Sequence, residues 1–187
     1  MGQVVSQREL LLRRGEWKKT GEGVVCAYGA FDLLHPGHVR LLEQARDLGS
    51  ILAVGVQSDD LVRSAARLEG QCGTGANAQV RRPITPVAER AEILAALGAV
   101  DIAAVVDRPL AEFLKLFRPD VFVCGDAAPK NSRVFRKARE SVAEVERATW
   151  SDLDRTIAAI GCRLVRLPVE PGYSTSSLMA RISGETA

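Results

Sequence analysis

Short, nearly continuous apolar runs recur along this chain, separated by longer stretches in which apolar residues return at helical spacing. The runs are 24–28, 51–56, 102–106, 121–124 and 162–167, each β-rich, the pattern of strands covered on both faces. Between them, Val39, Leu41, Leu42, Ala45 and Leu48 form one apolar helical face, and Gly49 follows as a stop. Leu61, Val62, Ala65, Ala66 and Leu68 suggest a second. Thr85-Pro86 predicts the start of a third, with Thr85 as N-cap and Pro86 at the first helical position. Ile93, Leu94 and Leu97 supply its apolar face and Gly98 its end. A fourth runs from Pro109 to Phe117 and closes at Arg118-Pro119, because a residue before proline avoids helical geometry. Ser6 and Glu9 have the spacing of a capping box for a leading helix.

Strand–helix–strand repetition implies right-handed crossovers and an open parallel sheet. The expected fold class is therefore α/β, a single Rossmann-like domain whose five-stranded parallel sheet is flanked by helices. Residues 1–22 read as an N-terminal helical extension and 23–187 as the main domain. Within it, a polar, Arg- and Glu-dense stretch at about 127–160 reads as an inserted helical segment, and 69–82 as a polar surface loop. In such sheets ligands bind beyond the carboxyl ends of the strands, at the point where strand order reverses.

Composition narrows the function classes. The chain has 187 residues, 25 Lys+Arg against 23 Asp+Glu, and a hydrophobic fraction of 47%, which excludes a disordered chain. A net charge of +2 argues against nucleic acid as a partner. No apolar run approaches the roughly 18–20 residues that cross a bilayer, so no membrane partner is expected. Cys26, Cys72, Cys124 and Cys162 form no C-x-x-C pair, which points away from zinc and disulfides and towards the cytoplasm.

The chemistry concentrates where the first long strand ends, in Gly29-Ala30-Phe31-Asp32-Leu33-Leu34-His35-Pro36-Gly37-His38. Gly29 permits a sharp exit, and Pro36-Gly37 start a helix, so both of the chain's histidines fall at a helix N-terminus. Unpaired N–H groups and the positive end of the helix dipole favour an anion there. Two imidazoles add donors that can follow negative charge as it builds on a phosphate. A third ligand for zinc is lacking, no nucleophile elbow exists, and the turn has no Gly-x-Gly-x-x-Gly dinucleotide pattern.

The run from Gly29 to His38 resembles the signature of the HxGH nucleotidyltransferases, in their cytidylyltransferase-like branch. Val54-Gly55-Val56-Gln57-Ser58-Asp59 is similar to that branch's second strand. Arg82-Pro83-Ile84-Thr85-Pro86, with Arg90, Leu94 to Leu97 and Val100-Asp101, resembles heptose-1-phosphate adenylyltransferases. The stretch from Arg118 to Asp126 resembles the fourth strand and its tip, and Gly172 to Ser177 the closing loop. The resemblance covers about residues 23–129 and 161–182.

It implies nucleotidyl transfer: an acceptor phosphate oxygen attacks the α-phosphorus of a nucleoside triphosphate and pyrophosphate leaves, with Mg²⁺ accompanying the triphosphate and no dedicated protein ligands for a metal. By resemblance, His35, His38 and Arg90 act on the phosphates. Gly29, Ala30, Phe31, Gly125, Asp126, Ser174, Thr175 and Ser176 bind the nucleotide. Asp32 orients substrate or metal, or holds nearby N–H groups. ATP with D-glycero-D-manno-heptose 1-phosphate is the leading substrate pair. The alternatives are a CTP-dependent enzyme acting on glycerol 3-phosphate or a similar phosphorylated alcohol, and a catalytically silent nucleotide-binding module. The tip Cys124-Gly125-Asp126 is closer to glycerol-3-phosphate cytidylyltransferase, whereas Val169 stands where that enzyme has an arginine. Relatives of this kind are commonly homodimers.

Overall fold

The computed structural model describes residues 1–68, 82–126, 153–168, 172–173 and 175–182. In chain order the elements are β1 (Gln3–Val5), α1 (Gln7–Thr20), β2 (Val24–Gly29), α2 (Pro36–Arg46), β3 (Ile51–Gln57), α3 (Asp59–Leu68) and α4 (Val87–Ala96). After these come β4 (Ile102–Val106), α5 (Leu110–Phe117) and β5 (Val121–Asp126), then α6 (153–160), β6 (Arg163–Pro168) and α7 (Thr175–Ile182).

Every strand pairing is parallel, in the order β1-β4-β3-β2-β5-β6. The sheet therefore has six strands, not the five expected from the apolar runs. The additional strand is β1, which pairs Gln3 with Ile102 and Val5 with Ala104. It is three residues long at the sheet's edge, and only Val5 is buried, so it has no hydrophobic period to read. Of the capping-box pair, Ser6 caps α1 by accepting the Glu9 N–H at 3.1 Å, while the Glu9 carboxylate turns to Arg13. Gly21 ends α1 in the left-handed conformation, φ 76°.

Apolar residues fill both faces of the sheet. On one, Leu10 of α1 and Phe113, Leu114 and Phe117 of α5 pack on Val24, Cys26 and Phe122, with Leu153 and Ile157 of α6. On the other, Leu42 and Ala45 of α2 and Ala91 and Leu94 of α4 cover Val25, Leu52 and Val54. Two boundaries differ from expectation. Pro86, not Thr85, is the N-cap of α4, and Pro109 caps α5. Arg118 ends α5 in the left-handed region, φ 50°, and its N–H closes on Leu114 O. The helix therefore stops before Pro119 by a left-handed cap and not by the extended backbone expected there.

Strand order reverses between β2 and β5, and there the sheet splits. Their pairing ends at Ala27↔Val123. β2 nevertheless continues along β3 to Gly29↔Val56, and β5 along β6 to Asp126↔Pro168. The last residues of β2 and β5 thus border a crevice at the switch point. Residues 69–81 of the expected polar loop and 127–152 of the expected insertion lie outside the described residues.

Candidate active site

The bend after β2 is held tightly from within. A Cβ on Gly29 would lie 3.3 Å from Cε2 of Phe31, so glycine lets that ring fold back over the strand end. Phe31 itself is buried in the left-handed region, φ 49°, an unusual conformation for a bulky residue. Asp32 is also buried. Its Oδ1 accepts the N–H groups of Ile84 at 2.7 Å and Thr85 at 3.0 Å, and its Oδ2 pairs with Nε of Arg82 at 3.2 Å. The carboxylate thus staples the segment before α4 to the bend.

Arg90 completes this staple. Its side chain has no exposed surface. Nε donates to Thr85 O at 2.8 Å, Nη1 donates to Ala30 O, and Nη2 pairs with Asp59 Oδ1 at 2.6 Å. The resemblance implies a phosphate contact for Arg90, but here the guanidinium faces inward. A planar fork with several donors suits this work, tying the bend, the start of α3 and the segment before α4 together.

The histidines follow on α2. His35 is the N-cap, with extended backbone (φ −141°, ψ 165°) and Pro36 in the first turn. Its Nδ1 accepts the N–H of His38 at 3.3 Å, which puts the ring's proton on Nε2 and leaves that group as a donor. The two imidazoles stack, with centroids 3.7 Å apart and planes 17° from parallel. Phe31 meets His38 edge-on, at 5.3 Å and 60°. A Cβ on Gly37 would stand 3.1 Å from His35 Nδ1, so glycine is what allows the ring to lie over the helix start. Nδ1 of His38 is buried and has no hydrogen-bond partner among the described residues.

This packing sets the charge state. Burial, and secondarily the neighbouring His35, lowers the His38 pKa from 6.5 to about 4. Burial also lowers that of His35, against a smaller opposing hydrogen bond. Near neutral pH the site therefore offers two uncharged imidazoles at a helix N-terminus, a place for an anion with donors but without fixed positive charge.

The remaining predicted residues are distributed around the crevice. Gly125 and the backbone of Asp126 end β5 on its far side, and Thr175 opens α7. Ser174 and the side chains of Asp126 and Ser176 lie outside the described residues. Beside the bend a mainly apolar cleft of about 290 Å³ opens between Leu33 and Leu34, Ile93 of α4, and Leu178 and Ile182 of α7. It does not include the imidazoles, and its lining suits packing better than phosphate. Among the described residues no three His, Cys, Asp or Glu side chains gather to hold a metal. The nearby carboxylates, Asp32 and Asp59, are already engaged by N–H groups and arginines. No helix among the described residues is long and apolar enough to cross a membrane. Asp59 and Tyr173 were not among the predicted site residues, although both lie within stretches whose resemblance is legible in the sequence.

A parallel α/β sheet with a histidine-paired helix start at its switch point is the frame of a nucleotidyltransferase. The cytidylyltransferase-like family model matches residues 26–181, and the chain belongs to that family. It is 37% identical over 178 residues to the bifunctional protein HldE of Rhodopseudomonas palustris (strain BisB5), a match covering 94% of this chain and 30% of that protein. The HldE of Koribacter versatilis is 42% identical over 123 residues, which is 65% of this chain and 23% of the relative. The chain thus spans less than a third of the length of these relatives. Two solved structures share the fold. The lipopolysaccharide core biosynthesis protein of Thermoplasma volcanium has a TM-score of 0.53 at 23% identity, covering 80% of this chain and 98% of that one. The pantoate-beta-alanine ligase of Francisella tularensis has a TM-score of 0.57 at 12% identity, covering 97% and 73%.

Proposed function

We propose that the chain transfers an adenylyl group from ATP to D-glycero-D-manno-heptose 1-phosphate, forming ADP-heptose and pyrophosphate. The stacked His35–His38 pair at the start of α2, beside the split between β2 and β5, is the observation that carries this reading. An oxygen of the acceptor phosphate attacks the α-phosphorus in line, and the bond from that phosphorus to the β-phosphate bridging oxygen breaks. Negative charge develops on the phosphoryl oxygens and on the leaving pyrophosphate. The Nε2–H of His35, its partner His38 and the positive end of the α2 dipole meet this charge. Because both rings are neutral beforehand, approach of the triphosphate favours their protonation and strengthens these contacts.

The backbone of Gly29, Ala30 and Phe31 approaches the α-phosphate. Gly125 and Asp126 border the base and ribose, and Ser174, Thr175 and Ser176 supply donors from the closing loop. Asp32 and Arg90 act as positioning residues that keep the bend in shape. Mg²⁺ would enter with the triphosphate and reduce its charge, since the nearby carboxylates Asp32 and Asp59 are already engaged by N–H groups and arginines.

The resemblance of the stretch from Arg82 to Asp101 supports the heptose acceptor. The β5 tip, Cys124-Gly125-Asp126, supports CTP with glycerol 3-phosphate as the second reading. Pyrophosphate release is measured with ATP or CTP, each paired with heptose 1-phosphate or glycerol 3-phosphate. Turnover with ATP and the heptose alone is the expected result. Turnover with CTP and glycerol phosphate establishes the second reading, and binding without any pyrophosphate release establishes a silent module.

A further inference from the structure

Tyr173 lies beside the histidine pair although it belongs to the distant closing loop. Its ring stacks on His35, with centroids 6.4 Å apart and planes 23° from parallel, and extends the His38–His35 stack to three rings. The third member of the contact is Gly37. A Cβ there would meet the Tyr173 Cβ at 3.3 Å as well as the His35 ring, so tyrosine and histidine close on the same bare backbone from two sides. On the solvent side, the Arg40 guanidinium lies 5.8 Å from the Tyr173 ring centroid, within cation–π range. Tyr173 is still 36% exposed, so filling the core does not explain its placement.

We propose that Tyr173 is a positioning residue for nucleotidyl transfer, its ring holding the His35 imidazole in the pose that meets the triphosphate. The proposal rests on the function given above. On the α2 side His35 is held by a 3.3 Å hydrogen bond from the His38 N–H and by the His38 ring stacked at 3.7 Å. The Tyr173 ring adds a contact from the closing loop, so coupling runs from that loop to the helix start. The ring and not the hydroxyl makes the contact, so phenylalanine replaces tyrosine.

The variants are Tyr173→Phe, Tyr173→Leu and Tyr173→Ala, with Gly37→Ala as a second route to the same displacement. Turnover and KM for the triphosphate are read together with the imidazole resonances of His35 and His38 during pH titration of the ligand-free protein. Among the described residues, the charged or titratable groups in ring contact with the stack are His38 and Arg40 on α2 and Tyr173 itself. Tyr173→Ala is expected to lower kcat about tenfold or more with little change in KM, and Tyr173→Phe to keep both. In the titration, Tyr173→Ala exposes His35 and moves its midpoint upward, while Tyr173→Phe leaves it in place. The double variant Gly37→Ala/Tyr173→Ala is expected to lose little more than either single one, because both act on one ring.

Wild-type kcat in both Tyr173→Ala and Tyr173→Leu overturns the proposal and leaves the proposed function standing. An unmoved His35 titration in Tyr173→Ala overturns it as well, independently of turnover. A moved titration in a protein that turns over no triphosphate supports the contact and overturns the function instead.

Discussion

Arg90 and Asp59 form a 2.6 Å ion pair in which the arginine is wholly buried, and the same guanidinium donates to the carbonyls of Ala30 and Thr85. A buried cation with one carboxylate and two carbonyls as partners is costly to disturb. Arg90→Met leaves two carbonyls and a half-shielded carboxylate without their donor. It is expected to lower the unfolding free energy by about 3–5 kcal/mol, read from urea titrations. Arg90→Lys keeps the charge but cannot serve three acceptors from one planar fork, so its loss is expected to be smaller but clear. A raised KM for triphosphate with an unchanged unfolding midpoint contradicts this and restores the direct phosphate contact.

Asp32 fastens the same bend from the other side, through two N–H groups and Arg82. Asp32→Ala leaves the Ile84 and Thr85 donors unpaired, at an expected cost on the order of 1–3 kcal/mol. Asp32→Asn keeps a carbonyl acceptor for them and loses the ion pair, so it is expected to retain more stability than the alanine variant. Turnover should fall in the same order, because the bend that carries Ala30 and Phe31 loosens. Equal stability of the two variants by thermal unfolding refutes the staple.

Much of this architecture is legible in the sequence because strands write themselves as apolar runs, and five of the six did so. β1 did not, since three residues with one buried side chain leave no pattern. Four of the five are central and largely buried, whereas β6, at the sheet's edge, has no buried side chain and was not covered on both faces as expected. At the site, His35 and His38 could be located from their type and from Pro36-Gly37 between them. The inward turn of Arg90 could not, because two of its three acceptors are backbone carbonyls at Ala30 and Thr85, which have no letter in a sequence, and the third, Asp59, is distant along the chain. The same holds for Asp32, whose partners Ile84 and Thr85 lie more than fifty residues away and contribute only N–H groups. Tyr173 stacks on His35 across a separation that no local spacing rule reaches.

His38 has one face against His35 and one edge against Phe31, so its orientation is fixed before a ligand arrives. Preorganised donors of this kind typically contribute 10²–10³ to turnover. His38→Ala is expected to lower kcat by a factor on the order of 10²–10³ with a smaller change in triphosphate KM. His38→Asn keeps an uncharged donor near the same place and should recover part of the loss. Wild-type kcat in the alanine variant removes His38 from the chemistry.

The lowered histidine pKa values make the fold and the ligand respond to pH in opposite ways. His38 titrates at about 4 in the folded protein against 6.5 when unperturbed, so the unfolded chain binds more protons between those values. Stability therefore rises with pH across that window: the contribution is fully present above 6.5 and is lost as pH falls towards 4. Burial of His35 acts in the same direction. The ligand-free protein is expected to show a falling Tm from pH 6.5 to 4, with a shallower slope in His38→Asn. A bound triphosphate brings negative charge to the same rings and favours their protonated forms, so binding should take up protons in the lower part of this range. Calorimetry in two buffers of different ionisation enthalpy reads that uptake directly. Proton release on binding shows that the imidazoles are not the groups that meet the phosphates, and a Tm slope that His38→Asn leaves unchanged shows that His38 is not the group whose titration sets the stability.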